Sequence, residues 1–144
     1  MKLNLKLNRV KESRCVTRFY ALASRESRVT PFLHNSSGEH SILLPSSKAI
    51  LVKATTLDRE LNIYFASLVK FPNSVILKID VEGAEAEVLR GGLQFINAFK
   101  PYIAIEVDAA NLKRISLILK DNGYVVYAVP YGMSQFHVYA FPIT

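Results

Sequence analysis

Asp80, Glu82 and Glu85 bring three carboxylates close together where a short apolar run, Val75-Ile76-Leu77-Lys78-Ile79, gives way to Val81-Glu82-Gly83-Ala84-Glu85. Carboxylates gathered in a cleft raise one another's pKa, so that one of them can serve as a general base near neutral pH. They can also hold a divalent metal through oxygen ligands. Glu106, near the end of a later apolar run, is a fourth candidate for the same group. The plainer alternative makes Asp80 a helix cap and Glu82, Glu85 and Glu87 first-turn acids, which the positive end of a helix dipole favours. Other chemistry-bearing residues lack the required spacing. His34, His40 and His137 include no i, i+4 pair of the kind that binds metal on a helix, so no metal is expected and they read as surface or packing residues. Ser36-Ser37 and Ser46-Ser47 stand outside any nucleophile elbow, and Cys15 has no base partner evident in the sequence.

The elements that must position these carboxylates follow from periodicity. Val75 to Asp80 reads as a buried parallel strand and Val81 to Arg90 as the helix after it, with Val81, Ala84, Val88 and Leu89 forming an apolar stripe that continues to Leu93 and Ile96. Tyr102 to Val107 repeats the strand pattern. A helix with Leu112, Ile115, Ile118 and Leu119 on one side stops at Asn122-Gly123. Tyr124 to Val129 and Phe136 to Phe141 form two further strands joined through Pro130-Tyr131-Gly132, expected to be antiparallel. The aromatic cluster of Tyr124, Tyr127, Tyr131, Phe136, Tyr139 and Phe141 reads as hairpin core. Upstream, Cys15 to Ala23 is rich in β-branched and aromatic residues and reads as a strand, Ala49 to Ala54 as another extended segment. Thr55, Thr56 and Asp58 supply capping side chains before a helical stripe of Leu57, Leu61, Phe65 and Leu68 that ends before Pro72. Leu3, Leu5 and Leu7 alternate like a strand, while Leu3, Leu7 and Val10 fit a helix equally well. Alternating strands and helices closed by a hairpin give an α/β sheet with parallel strands and an antiparallel edge. In such sheets ligands bind at the carboxyl ends of the strands, where Asp80 lies.

Composition narrows the function classes. The chain has 144 residues and a formal net charge of +6, enough for one domain (1–144) with its own core. A single cysteine excludes an intrachain disulfide framework and fits a reducing compartment. No apolar stretch approaches the ~18 residues of a membrane span, and Asn4, Lys6, Asn8 and Arg9 interrupt any signal-peptide core, so a cytoplasmic location with no membrane partner is expected. The whole charge surplus sits in residues 1–30, where eight basic side chains face two acidic ones. Such a segment can attract polyanions. It has no aromatic before Phe19 and no run of consecutive basic residues, so it reads as a solvated face rather than a nucleic-acid site.

KIDVEGAEAEVLRGG (Lys78 to Gly92), preceded by TTLD (Thr55 to Asp58) and followed by KPYIAIEV (Lys100 to Val107) and NGYVVYAV (Asn122 to Val129), resembles the C-terminal half of FkbM-type methyltransferases. NLKLNR (Asn4 to Arg9) and Ala21-Leu22-Ala23 extend the resemblance to nearly the whole chain. It implies a Rossmann-like class I methyltransferase sheet that uses S-adenosylmethionine, commonly for O-methylation of a sugar or small-metabolite hydroxyl. Asp80, Glu82 and Glu85 match the family motif at the active-site end of the fourth strand, as catalytic candidates, with Asp80 the expected general base on a substrate hydroxyl, helped by Glu82 or Glu85. The family's glycine-rich turn after its first strand has no match, because none of Gly38, Gly83, Gly91, Gly92, Gly123 and Gly132 falls in a G-x-G spacing. The acid that ends the second strand has none either. The resemblance thus implies an N-terminally truncated domain whose first two strands are missing, with cofactor-binding residues unassigned. In the family order 3-2-1-4-5-7-6, that loss leaves Val75 to Asp80 as an open edge. Three outcomes would satisfy the edge: a separate N-terminal half, a homodimer through Val75 to Asp80, or the chain's own N-terminal strand filling the gap. The alternative to an enzyme is a non-catalytic remnant or one half of a split methyltransferase, acting as a binding or assembly module.

Overall fold

A computed structural model describes residues 7–11, 14–29, 32–33, 40–41, 52–68 and 72–143. Its elements run β1 (Ala21–Leu22), β2 (Ser27–Val29), β3 (Phe32–Leu33), β4 (His40–Ser41), β5 (Val52–Thr55), α1 (Leu57–Ala66), β6 (Ile76–Ile79), α2 (Glu85–Arg90), α3 (Leu93–Phe99), β7 (Tyr102–Asp108), α4 (Ala109–Asp121), β8 (Tyr124–Tyr131) and β9 (Gln135–Pro142). The main sheet has the order β6-β7-β9-β8, parallel between β6 and β7 and antiparallel elsewhere. That is the sequence 4-5-7-6 within the expected order, and β6 is its outer strand among the described residues.

The alternation legible in β7 decides which face is buried. Ile103, Ile105 and Val107 point inward with Ile79, Val138, Ala140 and Tyr124, and pack against Val88 and Leu89 of α2, Phe95 and Ile96 of α3, and Ile115 and Leu119 of α4. Phe65 of α1 extends this core by stacking on Phe95 and Phe99, with ring centroids 5.6 and 4.9 Å apart. The helices therefore cover one face of the main sheet, and Tyr102, Val125, Tyr127, Tyr139 and Phe141 lie exposed on the other. The hairpin-core reading of the aromatic cluster holds for Tyr124 and fails for Tyr127, Tyr131, Tyr139 and Phe141, because no described element covers their side of the sheet.

Upstream, β5 is the centre of a separate three-stranded sheet, parallel to β1 and antiparallel to β2. The strand expected over Cys15 to Ala23 shortens to Ala21–Leu22, since β-branched composition makes a strand only where a partner is present, and β5 offers β1 two residues. Of the three outcomes expected for the edge, β1 does not supply the third, because it pairs with β5 and not with β6, while Leu3 and Leu5 lie outside the described residues. The extended segment expected from Ala49 appears as β5, and residues 49–51 lie outside the described residues, as do Leu3, Leu5, His34, Ser36, Ser37, Ser46 and Ser47.

Two caps fix the join between α1 and the site-bearing half. Thr56 is the N-cap of α1, its hydroxyl accepting from Arg59 N at 3.2 Å. Asp58 then reaches across to α3, where Oδ1 accepts from Phe95 N at 2.8 Å and Oδ2 from Gln94 N at 3.2 Å. Gly92, the N-cap of α3, has no side chain for this task, so Asp58 supplies the missing acceptors from 36 residues upstream. Asp58→Ala is expected to cost about 1–2 kcal/mol, read as a lower urea midpoint at constant slope, while Asp58→Asn, which keeps one oxygen, retains part of the loss.

Candidate active site

The turn after β6 sets the carboxylates. The apolar stripe predicts a helix from Val81, but Glu82 has φ 48° and Gly83 φ 98°, and two successive left-handed residues cannot belong to a right-handed helix. The helix α2 starts at Glu85, with Ala84 as N-cap, so Asp80 is not a cap and Glu82 precedes the helix. Gly83 is required for its backbone angle rather than for space, since a Cβ there would meet nothing within 4 Å. The Gly83 N–H donates to Glu85 Oε1 at 2.6 Å, which locks the turn to the first residue of α2.

Glu85 is 2% exposed, and its second oxygen, Oε2, has no hydrogen-bond partner. Burial raises the carboxyl above its ordinary range, opposed by the Gly83 N–H and reinforced by the charges of Asp108 and Asp80. It lines a polar cavity of about 60 Å³ together with Asp80, Glu82, Gly83, Glu106, Val107, Asp108, Tyr131 and Gln135. The three carboxylates picked out by sequence therefore meet, and Glu106 meets them.

Lys78, Asp108, Tyr131 and Gln135 complete the arrangement, and none of them stands out in the sequence as a site residue. Lys78 Nζ lies 3.1 Å from Asp80 Oδ2 and 3.1 Å from Glu106 Oε1, clamping carboxylates on neighbouring strands. Those contacts, Asp80 first, raise the lysine, and Lys78 in turn lowers Glu106. The Tyr131 hydroxyl donates to Glu106 Oε2 at 3.2 Å. Partial desolvation and this carboxylate push its own pKa up. Lys78 is legible in principle, because residues i and i+2 of a strand share a face and Asp80 is two residues on. Asp108, Gln135 and Tyr131 are not, because β9 inserts between β7 and β8 and pairs Gln135 with both Asp108 and Tyr131. Glu87 stands apart as a structural acid, its pKa lowered by a hydrogen bond from Ser24 and by Arg90 and Arg114 at 2.9 and 2.8 Å.

Residues 4–126 match the family model of the methyltransferase FkbM domain. The chain belongs to the FkbM methyltransferase family. The crystal structure of methyltransferase FkbM from Methylobacillus flagellatus KT shares its fold with a TM-score of 0.59 at 18% sequence identity, over 96% of this chain and 32% of that one. The FkbM-family chain thus spans about a third of the length of that solved relative. No curated protein matches it. Among the described residues no group of three His, Cys, Asp or Glu side chains is placed to hold a metal ion, and no helix is long and apolar enough to cross a membrane.

Proposed function

We propose that this FkbM-family chain serves S-adenosylmethionine-dependent O-methylation of a sugar or small-metabolite hydroxyl, and that the carboxylate corner is its acceptor side. One observation carries the reading: Glu85 is buried in the corner with a carboxylate oxygen that nothing satisfies. A buried acceptor without a donor is costly, and an incoming hydroxyl supplies the donor. A carboxylate whose pKa is raised by burial is also the better proton acceptor. Glu85 Oε2 is shielded in this structure, and it takes the acceptor's hydroxyl proton once the side chain turns towards the cavity it lines. Asp80, exposed and held by Lys78, orients the acceptor with Glu82 beside it.

The cofactor is a separate matter. A cavity of about 60 Å³ is far below the roughly 300–1,000 Å³ of a small-molecule site. The larger hollows beside β5 carry Arg28, Lys53, Arg18 and Arg59 against Glu26 and Glu60, a net positive lining that suits a sulfonium cation poorly. The described residues of this chain therefore do not fit S-adenosylmethionine, and no step is assigned through it. The misfit, together with the edge that β6 leaves open among the described residues, favours a second reading, in which the chain is one half of a split methyltransferase and a separate N-terminal half supplies the cofactor cradle. Calorimetric titration with S-adenosylhomocysteine distinguishes the two. At millimolar ligand, where a binding free energy of about −4 kcal/mol registers, the split reading expects no saturable heat from the chain alone. Saturable binding places a complete cofactor site in this chain.

A further inference from the structure

We infer that Glu106 is a positioning residue of the corner, acting through Lys78 to hold the Asp80 carboxylate in one orientation. That role rests on the reading in which Asp80 orients the acceptor. A chain of contacts runs across all four strands of the main sheet. Lys78 of β6 places Nζ 3.1 Å from Asp80 Oδ2 and 3.1 Å from Oε1 of Glu106 on β7. The second oxygen of Glu106, Oε2, accepts from the hydroxyl of Tyr131 on β8 at 3.2 Å. The Tyr131 ring in turn stacks on His137 of β9, with centroids 3.9 Å apart and planes 11° from parallel. Each link joins residues of these strands or of the turn after β6.

Strand register explains why these side chains meet. Lys78 stands opposite Ala104, and Glu106 follows Ala104 by two residues, the period that returns a side chain to the same face. Asp80 follows Lys78 by the same step, just past the end of β6. The four-carbon lysine stem reaches forward along the strands to both acids. On the other flank Glu106 stands opposite His137 and His137 opposite Val129, with Tyr131 two residues beyond. An ammonium on a flexible stem swings about a single carboxylate partner, whereas a second partner on a neighbouring strand fixes where the nitrogen sits. Glu106 is that second partner, and the Tyr131 hydroxyl keeps its carboxylate from rotating away. Lys78 first, against slight desolvation, and then Tyr131 hold Glu106 below the ordinary carboxylate range, so it stays ionised and grips the lysine. The Lys78 side chain is 62% exposed, and exposed ion pairs add little to stability. The chain of contacts therefore acts on the direction of Asp80 and hardly on folding.

NMR of the full chain tests this without cofactor or acceptor. In the wild type the Asp80 Hα–Hβ couplings are expected to report one staggered χ1 rotamer, and in Lys78→Met and Glu106→Gln the averaged couplings of a free side chain. Tyr131→Phe is expected to give partial averaging and to raise the pH at which the Glu106 carboxyl carbon titrates, with Lys78→Met raising it further. Lys78→Arg, whose guanidinium fork can reach two carboxylates, should restore the single rotamer. Urea midpoints should stay close to wild type in every variant, which separates orientation from stability. Should Glu106→Gln fail to fold, Tyr131→Phe decides, since it removes only the hydroxyl. An Asp80 already averaged in the wild type, or still fixed in Lys78→Met, overturns the inference. So does averaging in Lys78→Met with none in Glu106→Gln or Tyr131→Phe, because Lys78 then holds Asp80 without Glu106. The acceptor reading falls separately, if Asp80→Asn leaves turnover and KM unchanged while these couplings stand.

Discussion

On the proposed O-methylation reading, Glu85→Gln is expected to reduce methyl transfer at least ~10²-fold in kcat with KM nearly unchanged, because a positioned general base contributes about 10²–10⁴-fold. The substitution preserves shape. A glutamine oxygen still accepts from Gly83 N, so the left-handed turn and the start of α2 survive, and the loss reads on proton transfer rather than on folding. Asp80→Asn is expected to act differently. Asp80 is exposed and paired with Lys78, which it shares with Glu106, so neutralising it weakens acceptor orientation and raises KM more than it lowers kcat. The reverse ranking, with Asp80→Asn abolishing turnover and Glu85→Gln sparing it, would return the base to Asp80.

The same substitution has a signature in stability that needs no assay of turnover. Glu85 binds its proton more tightly in the folded chain than in the unfolded one, since burial raises it above 4.5. Its contribution is therefore fully present below the unfolded value and is lost as pH rises through the folded one. Wild-type stability should fall over that window. Glu85→Gln should flatten the curve and leave the protein more stable than wild type at pH 7, because the ionised carboxylate is the form that burial disfavours. A variant less stable than wild type at pH 7 would mean that the carboxylate is ionised and satisfied when folded, contrary to its unpartnered Oε2. Such trades of stability for a poised group are usual at functional sites.

What the sequence discloses and what it hides divide along the range of the interactions involved. Short apolar runs locate β6 and β7, turn residues between β-rich runs locate the β8–β9 hairpin, and periodicity of 3.6 with a Thr cap locates α1, because these signals are local. The boundary at Glu85 escapes periodicity because the acids and small residues after Ile79 all tolerate a helix. What forbids it is a pair of left-handed residues held by one side-chain bond. Gly83, two residues before a glutamate, is the available signal. The strand over Cys15 to Ala23 is overestimated because β-propensity describes fitness for a pleated surface and cannot say whether a partner exists. At the site, Asp80, Glu82 and Glu85 are legible as neighbours in sequence, and Glu106 from its place at the end of a second strand. Asp108, Tyr131 and Gln135 come from three points in the chain that only the insertion of β9 between β7 and β8 brings together. The aromatic cluster shows the limit most plainly. Alternation says that Tyr127 and Phe141 share a face, but whether that face is core depends on whether anything covers it.

Gly91→Ala is expected to cost about 3 kcal/mol, the upper end of overpacking and a hundredfold or more in the ratio of folded to unfolded chain. The reason is not conformational freedom, for Gly91 has φ −73° and ψ −2°, which alanine adopts readily. It is contact. A Cβ at Gly91 would run into the Ala23 carbonyl oxygen, with the carbonyl carbon at 3.2 Å and Glu87 O at 3.4 Å. None of these can step aside as a side-chain tip would. Ala23 N donates to Thr55 O at 2.9 Å, tying it to the end of β5, and Gly91 O accepts from Asp58 N at 2.8 Å, tying it to the first turn of α1. Withdrawal in either direction breaks a hydrogen bond that joins the upstream sheet to the helices over the main sheet. Gly92→Ala provides the internal comparison. Its Cβ would meet the Leu57 side chain, Cδ2 at 2.7 Å with Cβ and Cγ at 3.2 and 3.3 Å; the tip can rotate and the stem need give only a few tenths of an ångström, so a smaller loss of about 1–2 kcal/mol is expected. Urea midpoints rank the two, and amide exchange locates the damage. With Gly91→Ala, protection should fall first at Ala23 and Asp58 while Ile105 and Val138, deep in the main sheet, keep theirs until global unfolding. Equal losses for the two glycines would show that the Ala23 backbone yields as easily as a leucine side chain, and that the join between the two sheets is soft.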